Sequence, residues 1–206
     1  AKTGSGKTAA FGLGLLHNLK VKRFRVQALV MCPTRELAEQ VALEIRKLGR
    51  GIHNIKVLTL CGGTPLGPQI GSLEHGAHII VGTPGRIMDH LFRGRLDLSE
   101  VNTLVLDEAD RMLDMGFEVE MAKVIDAVPL DRQTLLFSAT YPDSIAQISR
   151  DVQRNPLEVS VEATHETNSI EQLFFEVEEP HRVKAVAAML SHYQAESAIV
   201  FCNTKI

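Results

Sequence analysis

Five times along this chain a short, continuous apolar run breaks off into a polar cluster rich in Gly, Pro, Thr or acid. The runs fall at residues 27–32, 57–60, 78–81, 104–106 and 134–137. None shows the polar alternation of a strand with one face in water, so each reads as a strand buried on both faces. Helical stripes lie between them. Leu37, Val41, Ile45 and Leu48 form one, stopped by Gly49 and Gly51; Phe117, Met121, Val124, Ile125 and Val128 form another; Ile145, Ile148 and Val152 follow Pro142. Strands alternating with helices require right-handed crossovers, so the predicted fold is α/β with a doubly wound parallel sheet. In such a sheet the strand C-termini share one edge, and ligands bind there. The clusters Pro33-Thr34-Arg35-Glu36, Gly62-Gly63, Thr83-Pro84-Gly85-Arg86, Asp107-Glu108-Ala109-Asp110 and Ser138-Ala139-Thr140 are therefore expected side by side. Ordinary turn chemistry explains any one of them easily and five in order poorly.

Ahead of the first run stands Ala1-Lys2-Thr3-Gly4-Ser5-Gly6-Lys7-Thr8. A loop that wraps a triphosphate needs glycines for close backbone approach, inward N–H groups, a Lys for the outer phosphates and a hydroxyl for Mg²⁺. Thr3, Gly4, Ser5, Gly6, Lys7 and Thr8 are the candidate nucleotide-binding residues. The stripe Phe11, Leu15, Leu19 predicts a following helix whose N-terminus points partial positive charge at the phosphates. Ala1 stands where such loops usually have Gly, and a plain Gly/Ser turn before a helix is the alternative. The downstream acids weigh against it. Asp107, at the end of an apolar run, is what such a loop needs as partner to Thr8 around Mg²⁺, and Glu108 is placed to polarise an attacking water. Taken alone, two adjacent acids describe a solvated turn; behind a buried strand and a phosphate loop they describe catalysis, with Lys7, Asp107 and Glu108 as its candidate residues.

The 206 residues suit one large domain or one with part of another, and a 45% hydrophobic share is globular. No apolar run approaches a membrane span and no signal peptide precedes the phosphate loop, which predicts a soluble, cytoplasmic protein without membrane partners. Cys32, Cys61 and Cys202 read as reduced, buried thiols, and His75 and His78 as loop residues without a metal shell. The net charge of −3 hides an asymmetry: residues 1–50 carry ten Lys/Arg against three Asp/Glu, residues 100–179 five against eighteen. That permits a polyanion-facing side without requiring one.

Past Arg154 the pattern changes. Residues 157–161 read as an edge strand, 162–169 as a linker, and 170–178 as extended. A helix stripe of Val183, Val186, Ala187 and Leu190 follows Pro180, and 198–202 reads as another buried strand. The predicted organisation is a first domain over 1–161, a linker over 162–169, and the start of a second α/β domain over 170–206.

The order of these clusters, with Pro33 to Ala38 and Phe201-Cys202-Asn203-Thr204-Lys205, resembles the DEAD-box family of ATP-dependent RNA helicases across essentially the whole chain. Leu60-Cys61-Gly62-Gly63 and Met112-Leu113-Asp114-Met115-Gly116-Phe117 are similar to its bacterial DbpA subgroup, whose members act on ribosomal RNA. The resemblance implies a RecA-like P-loop fold with ATP and Mg²⁺ as cofactors: Lys7 and Thr8 on phosphates and Mg²⁺, Asp107 on Mg²⁺, Glu108 on water. It implies that Asp110, Ser138 and Thr140 couple the nucleotide pocket to RNA, and that Thr34, Arg35, Gly63, Thr83, Gly85 and Arg86 grip the RNA backbone. Thr83-Pro84 suits a helix N-cap and first turn, which leaves N–H groups for a phosphate. It further implies short-duplex unwinding coupled to hydrolysis, possible service in ribosome assembly, and no obligate protein partner. Two alternatives stay open: an ATP-dependent RNA clamp with little turnover, against which Glu108 argues, and a P-loop kinase or DNA translocase, disfavoured by Asp110 and Ser138-Ala139-Thr140. The family's adenine-reading motif, the strand before the P-loop and the arginine finger have no counterpart in these residues, so the chain alone is expected to be poorly stable and without RNA-stimulated turnover.

Overall fold

The computed structural model describes residues 6–160, 171 and 173–202. Thr3, Gly4, Ser5, the expected linker at 162–169 and residues 203–206 lie outside the described residues. The chain divides into two compact units, Ala1–Ala163 and Thr164–Ile206.

In the first unit the runs become five strands: β1 (Ala28–Met31), β2 (Val57–Leu60), β3 (Ile79–Gly82), β4 (Thr103–Leu106) and β5 (Gln133–Leu136). They pair in parallel in the order β2-β3-β1-β4-β5. The helices are α1 (Lys7–His17), α2 (Arg35–Leu48), α3 (Leu66–Glu74), α4 (Pro84–Phe92), α5 (Ala109–Asp114), α6 (Glu118–Asp126) and α7 (Asp143–Val152). Successive strand residues point to opposite faces, and two cores result. Ala28, Val30, Ile79, Val81 and Val105 meet Phe11 and Leu15 of α1 and Val41 and Ile45 of α2. Leu29, Met31, Ile80, Leu104 and Leu106 meet Ile87 of α4, Met112 of α5, Met121 and Val124 of α6 and Ile145 of α7. β1, β3 and β4 are buried along their whole length, whereas β5 at the edge of the order is only half-buried. No helix among the described residues is long and apolar enough to cross a membrane.

Two expectations change. Residues 157–160 form no strand, and Leu157 and Val159 are exposed: two apolar residues behind Pro156, which cannot donate to a ladder, do not make an edge. Gly49 ends α2 as expected, as its C-cap with φ −81°, and the chain runs on into a 3₁₀ turn, Gly49–Gly51. A Cβ there would lie 3.2 Å from Leu16 Cδ2 and 3.2 Å from Ile55 Cδ1, so close packing favours the glycine. His78 lies in the bend just before β3, outside helix and strand as expected, and is fully buried there. Its Nδ1 accepts from Lys56 N–H at 3.0 Å, which assigns the hydrogen to Nε2, 2.9 Å from the Val21 carbonyl.

The other concerns the second unit. Helix α8 (Arg182–Tyr193) follows Pro180 as expected, but residues 198–202 form no strand, Ile199 and Phe201 are exposed, and so is Cys202. An apolar run is buried as a strand only when neighbouring strands supply a ladder, and the described residues of this unit contain none.

Candidate functional site

The clusters that end the strands are fastened to one another by a relay of backbone hydrogen bonds across the C-terminal edge. Thr83 N–H donates to the Leu60 carbonyl at 3.0 Å, Cys32 N–H to Gly82 at 2.9 Å, Asp107 N–H to Met31 at 3.0 Å and Phe137 N–H to Leu106 at 2.8 Å. Each bond continues a ladder one residue beyond its strand, so position in the sheet fixes where every polar cluster emerges.

At one part of this edge α1 begins. Gly6 has φ 79°, a left-handed conformation that favours glycine, and it turns the chain into a helix with no acid in its first turn. Phe11 packs on Phe137 with ring centroids 5.4 Å apart, which ties this helix to the end of β5. Lys7 Nζ lies 3.9 Å from Asp107 Oδ1, and both side chains are largely buried. Asp107 Oδ1 accepts no hydrogen bond among the described residues. Burial pushes the Asp107 carboxyl above the ordinary range; Lys7 works against that and Glu108 adds to it. A buried carboxylate oxygen beside an ammonium, with the Thr8 hydroxyl in the same helical turn, fits a divalent cation with phosphates. Cys32, also buried here, has its thiol pushed well up by burial and by Asp107, so it is inert at neutral pH.

Glu108 is left-handed, with φ 52° and ψ 52°, and its Oε2 lies 3.3 Å from Arg111 Nη1. Just past it, Asp110 collects the loop after β5. Its Oδ2 accepts from Ala139 N–H at 3.2 Å, Thr140 N–H at 3.0 Å and the Thr140 hydroxyl at 2.9 Å, and Oδ1 from Arg111 N–H at 3.0 Å. Burial would raise the Asp110 carboxyl, but hydrogen bonds from Thr140, Arg111 and Ser138 outweigh it and hold it below the ordinary range. Asp110, Ser138 and Thr140 thus form one bridge between β4 and β5. A group whose pKa is lowered by folding stabilises above its unfolded pKa, and that contribution is lost as pH falls through the folded value. The stability gap between wild type and Asp110→Asn is therefore expected to be full at neutral pH and to close as pH drops below about 4. Urea unfolding at both pH values measures it; a gap that does not change with pH refutes the bridge as the source.

The rest of the edge carries the candidate phosphate contacts. Thr34 caps α2, its hydroxyl accepting from Leu37 N–H at 3.3 Å, and Arg35 opens that helix half-exposed and paired with Glu39 at 2.8 Å. The Glu39 carboxylate holds the Arg35 guanidinium firmly charged. Thr83 occupies the N-cap of α4 with Pro84 behind it, but its hydroxyl makes no capping bond. Gly63 turns the chain at φ 73°, and a Cβ on Gly62, Gly63 or Gly85 would meet nothing within 4 Å, so these backbones are open to an approaching ligand. Arg86 is half-buried, its Nη1 donating to the Thr64 carbonyl at 3.0 Å and Gln69 Oε1 at 3.1 Å. The sequence reading did not single out Gln69 or His90. The one signal for His90 was a lone polar residue on the stripe of Ile87 and Leu91.

A sheet wound on both faces, with a glycine-hinged helix and a buried acid meeting at one edge, defines the class: a RecA-like α/β domain. The sequence profile of the DEAD/DEAH box helicase family matches residues 1–148. The ATP-dependent RNA helicase DbpA of Escherichia coli (strain K12) is 56% identical over 205 residues, spanning 100% of this chain and 45% of that protein. The DEAD-box ATP-dependent RNA helicase CshA of Geobacillus kaustophilus (strain HTA426) is 47% identical over 206 residues, spanning 100% of this chain and 44% of that protein. A crystal structure of a DEAD box protein from the hyperthermophile Methanococcus jannaschii superposes with a TM-score of 0.75 at 41% identity, covering 92% of this chain and 51% of that one. The chain belongs to the DEAD/DEAH box helicase family, and it spans less than half the length of these curated relatives.

Proposed function

We propose that the protein carrying this chain is an ATP-dependent RNA helicase, which separates short RNA duplexes while hydrolysing ATP. The observation that carries the reading is the arrangement of Asp107 and Asp110: one carboxylate is buried beside Lys7, and the other, three residues on, fastens the Ser138-Ala139-Thr140 loop. A change in nucleotide state felt at the first is passed along the two residues that lead into α5 to the second, and from there to the loop after β5.

The nucleotide triphosphate lies against Gly6, Lys7 and Thr8, where the N-terminus of α1 and the ammonium receive its charge. Thr8 and Asp107 would hold Mg²⁺, which when bound neutralises charge on the phosphates. Glu108 takes the proton of the attacking water, and the RNA backbone lies along Thr34, Arg35, Gly63, Thr83, Gly85 and Arg86. Contacts of that kind read shape and 2′-OH instead of base. Ribosomal RNA as substrate and a cytoplasmic location are part of this proposal, supported by the similarity to DbpA.

The test is RNA-stimulated phosphate release by the intact protein, with strand separation of a short RNA duplex beside it; stimulation by DNA of equal length but not by RNA overturns the reading. Lys7→Ala is expected to lower turnover by about 10²- to 10³-fold, the usual cost of removing one preorganised charge from a phosphoryl-transfer site. Wild-type turnover in that variant removes Lys7 from the site.

A further inference from the structure

We propose that Gln69 and His90 are positioning residues for RNA, clamping the Gly62-Gly63 turn to the first turn of α4 so that two phosphate-facing backbone segments are held in register before RNA arrives. The proposal rests on the RNA reading of this edge. Gln69, on α3, lies between the two segments. Its Nε2 donates to the Cys61 carbonyl at 3.1 Å and to the Thr64 hydroxyl at 2.8 Å, and that hydroxyl donates to the same carbonyl at 3.1 Å. Its Oε1 receives Arg86 Nη1 at 3.1 Å and His90 Nε2 at 2.9 Å. Arg86 closes the ring through the Thr64 carbonyl at 3.0 Å.

These contacts permit one orientation only. Turning the amide over would set its NH₂ against the Arg86 donors and its oxygen against the Cys61 carbonyl. Oε1 is therefore the acceptor, and His90 carries its hydrogen on Nε2. The other nitrogen, Nδ1, is buried and has no hydrogen-bond partner among the described residues, so a second proton there would have nowhere to donate. Burial, with Arg86 beside it, holds the imidazole below the ordinary histidine range, in keeping with a neutral ring. The ring of bonds thus joins a fully buried histidine to a turn whose glycines are exposed. Its outputs are the backbones at Gly62, Gly63 and Gly85, each open where a side chain would stand. Ordering a loop costs entropy when a ligand binds, and a loop ordered in advance avoids most of that cost. Neither Gln69 nor His90 touches RNA in this arrangement; both act through Arg86 and the turn.

The experiment uses the intact protein with Gln69→Met, which keeps the shape and removes the amide, His90→Phe, His90→Gln, which retains an N–H donor, Arg86→Met, and the Gln69→Met/Arg86→Met pair. Amide hydrogen exchange at residues 62–64 without RNA, and affinity for single-stranded RNA with a non-hydrolysable ATP analogue, are read together. The expected result is faster exchange in Gln69→Met and His90→Phe, recovery in His90→Gln, and RNA affinity lowered about tenfold in Gln69→Met, as for the loss of one or two hydrogen bonds. In Gln69→Met and the His90 variants, ATP affinity and turnover at saturating RNA stay within about twofold, because these side chains touch neither. The double variant should lose less than the sum of the two single losses, since Gln69 acts in part through Arg86. Unchanged exchange, or additive losses in the pair, overturns the clamp. Faster exchange with undiminished RNA affinity overturns instead the placement of RNA on this edge.

Discussion

Replacing Glu108 by Gln is expected to leave ATP and RNA bound and to lower phosphate release by about 10²- to 10⁴-fold, the range typical of losing a general base. The geometry makes this a clean test. The chain is pinned on both sides of Glu108, by Asp107 N–H on the Met31 carbonyl at 3.0 Å and by Ala109 N–H on the Phe137 carbonyl at 3.0 Å. Between those pins the residue is held at φ 52°, which costs a non-glycine residue about 1 to 3 kcal/mol. Strain retained beside a buried acid is a reason to assign the side chain to chemistry. Glutamine keeps its size and an oxygen within reach of Arg111, and removes the charge and the basicity of the carboxylate. Glu108→Gly supplies the control: it should lose hydrolysis equally while losing no stability, because glycine adopts this backbone without steric penalty. Loss of ATP binding in Glu108→Gln, measured with a non-hydrolysable analogue, would make the residue structural.

Gly82→Ala is expected to destabilise the first unit by about 3 kcal/mol or more, a large part of the ~5 to 15 kcal/mol that holds a typical domain folded. Its Cβ would lie 2.2 Å from the Leu60 carbonyl oxygen, 3.0 Å from the Leu60 carbonyl carbon and 3.2 Å from Ile87 Cγ1. Two of these are backbone atoms, so no rotamer change relieves the contact. Nor can the strands simply part, because the Leu60 carbonyl accepts from Thr83 N–H and the Gly82 carbonyl from Cys32 N–H. The edge that carries Gly62, Gly63, Thr83 and Gly85 would shift with them. Exchange of the β1 and β3 amides in the intact protein measures the loss, and slowly exchanging amides at wild-type level in Gly82→Ala overturn the argument.

Both results turn on features that differ in how far the residues announce them. The strand runs were legible because a parallel strand buried on both faces is mostly apolar, and β2 begins and ends where the run 57–60 does. The edge followed from topology, since parallel strands deliver all their C-termini to one side. Helix α3 was not legible: it buries none of its residues, so no stripe marks it, and its part in the site rests on the single side chain of Gln69. Helix α5 is six residues long, too short for a periodicity to show. The apolar run at 198–202 was misread as buried because apolarity records a capacity for burial, and burial itself requires a partner surface.

Local covalent chemistry and hydrophobic period therefore determined which residues become strands, that they run parallel, and which clusters share an edge. Tertiary structure alone decided the order β2-β3-β1-β4-β5, and with it that Asp107 hangs from β1 while Thr83 hangs from β2. It decided that His78 and His90 lie in the interior and that Gly82, unremarkable in sequence, faces a carbonyl at a distance no side chain tolerates. The physical reason is that a period is a property of neighbours along the chain, whereas a hydrogen-bond partner or a steric limit is a property of segments tens of residues apart, which only packing brings together.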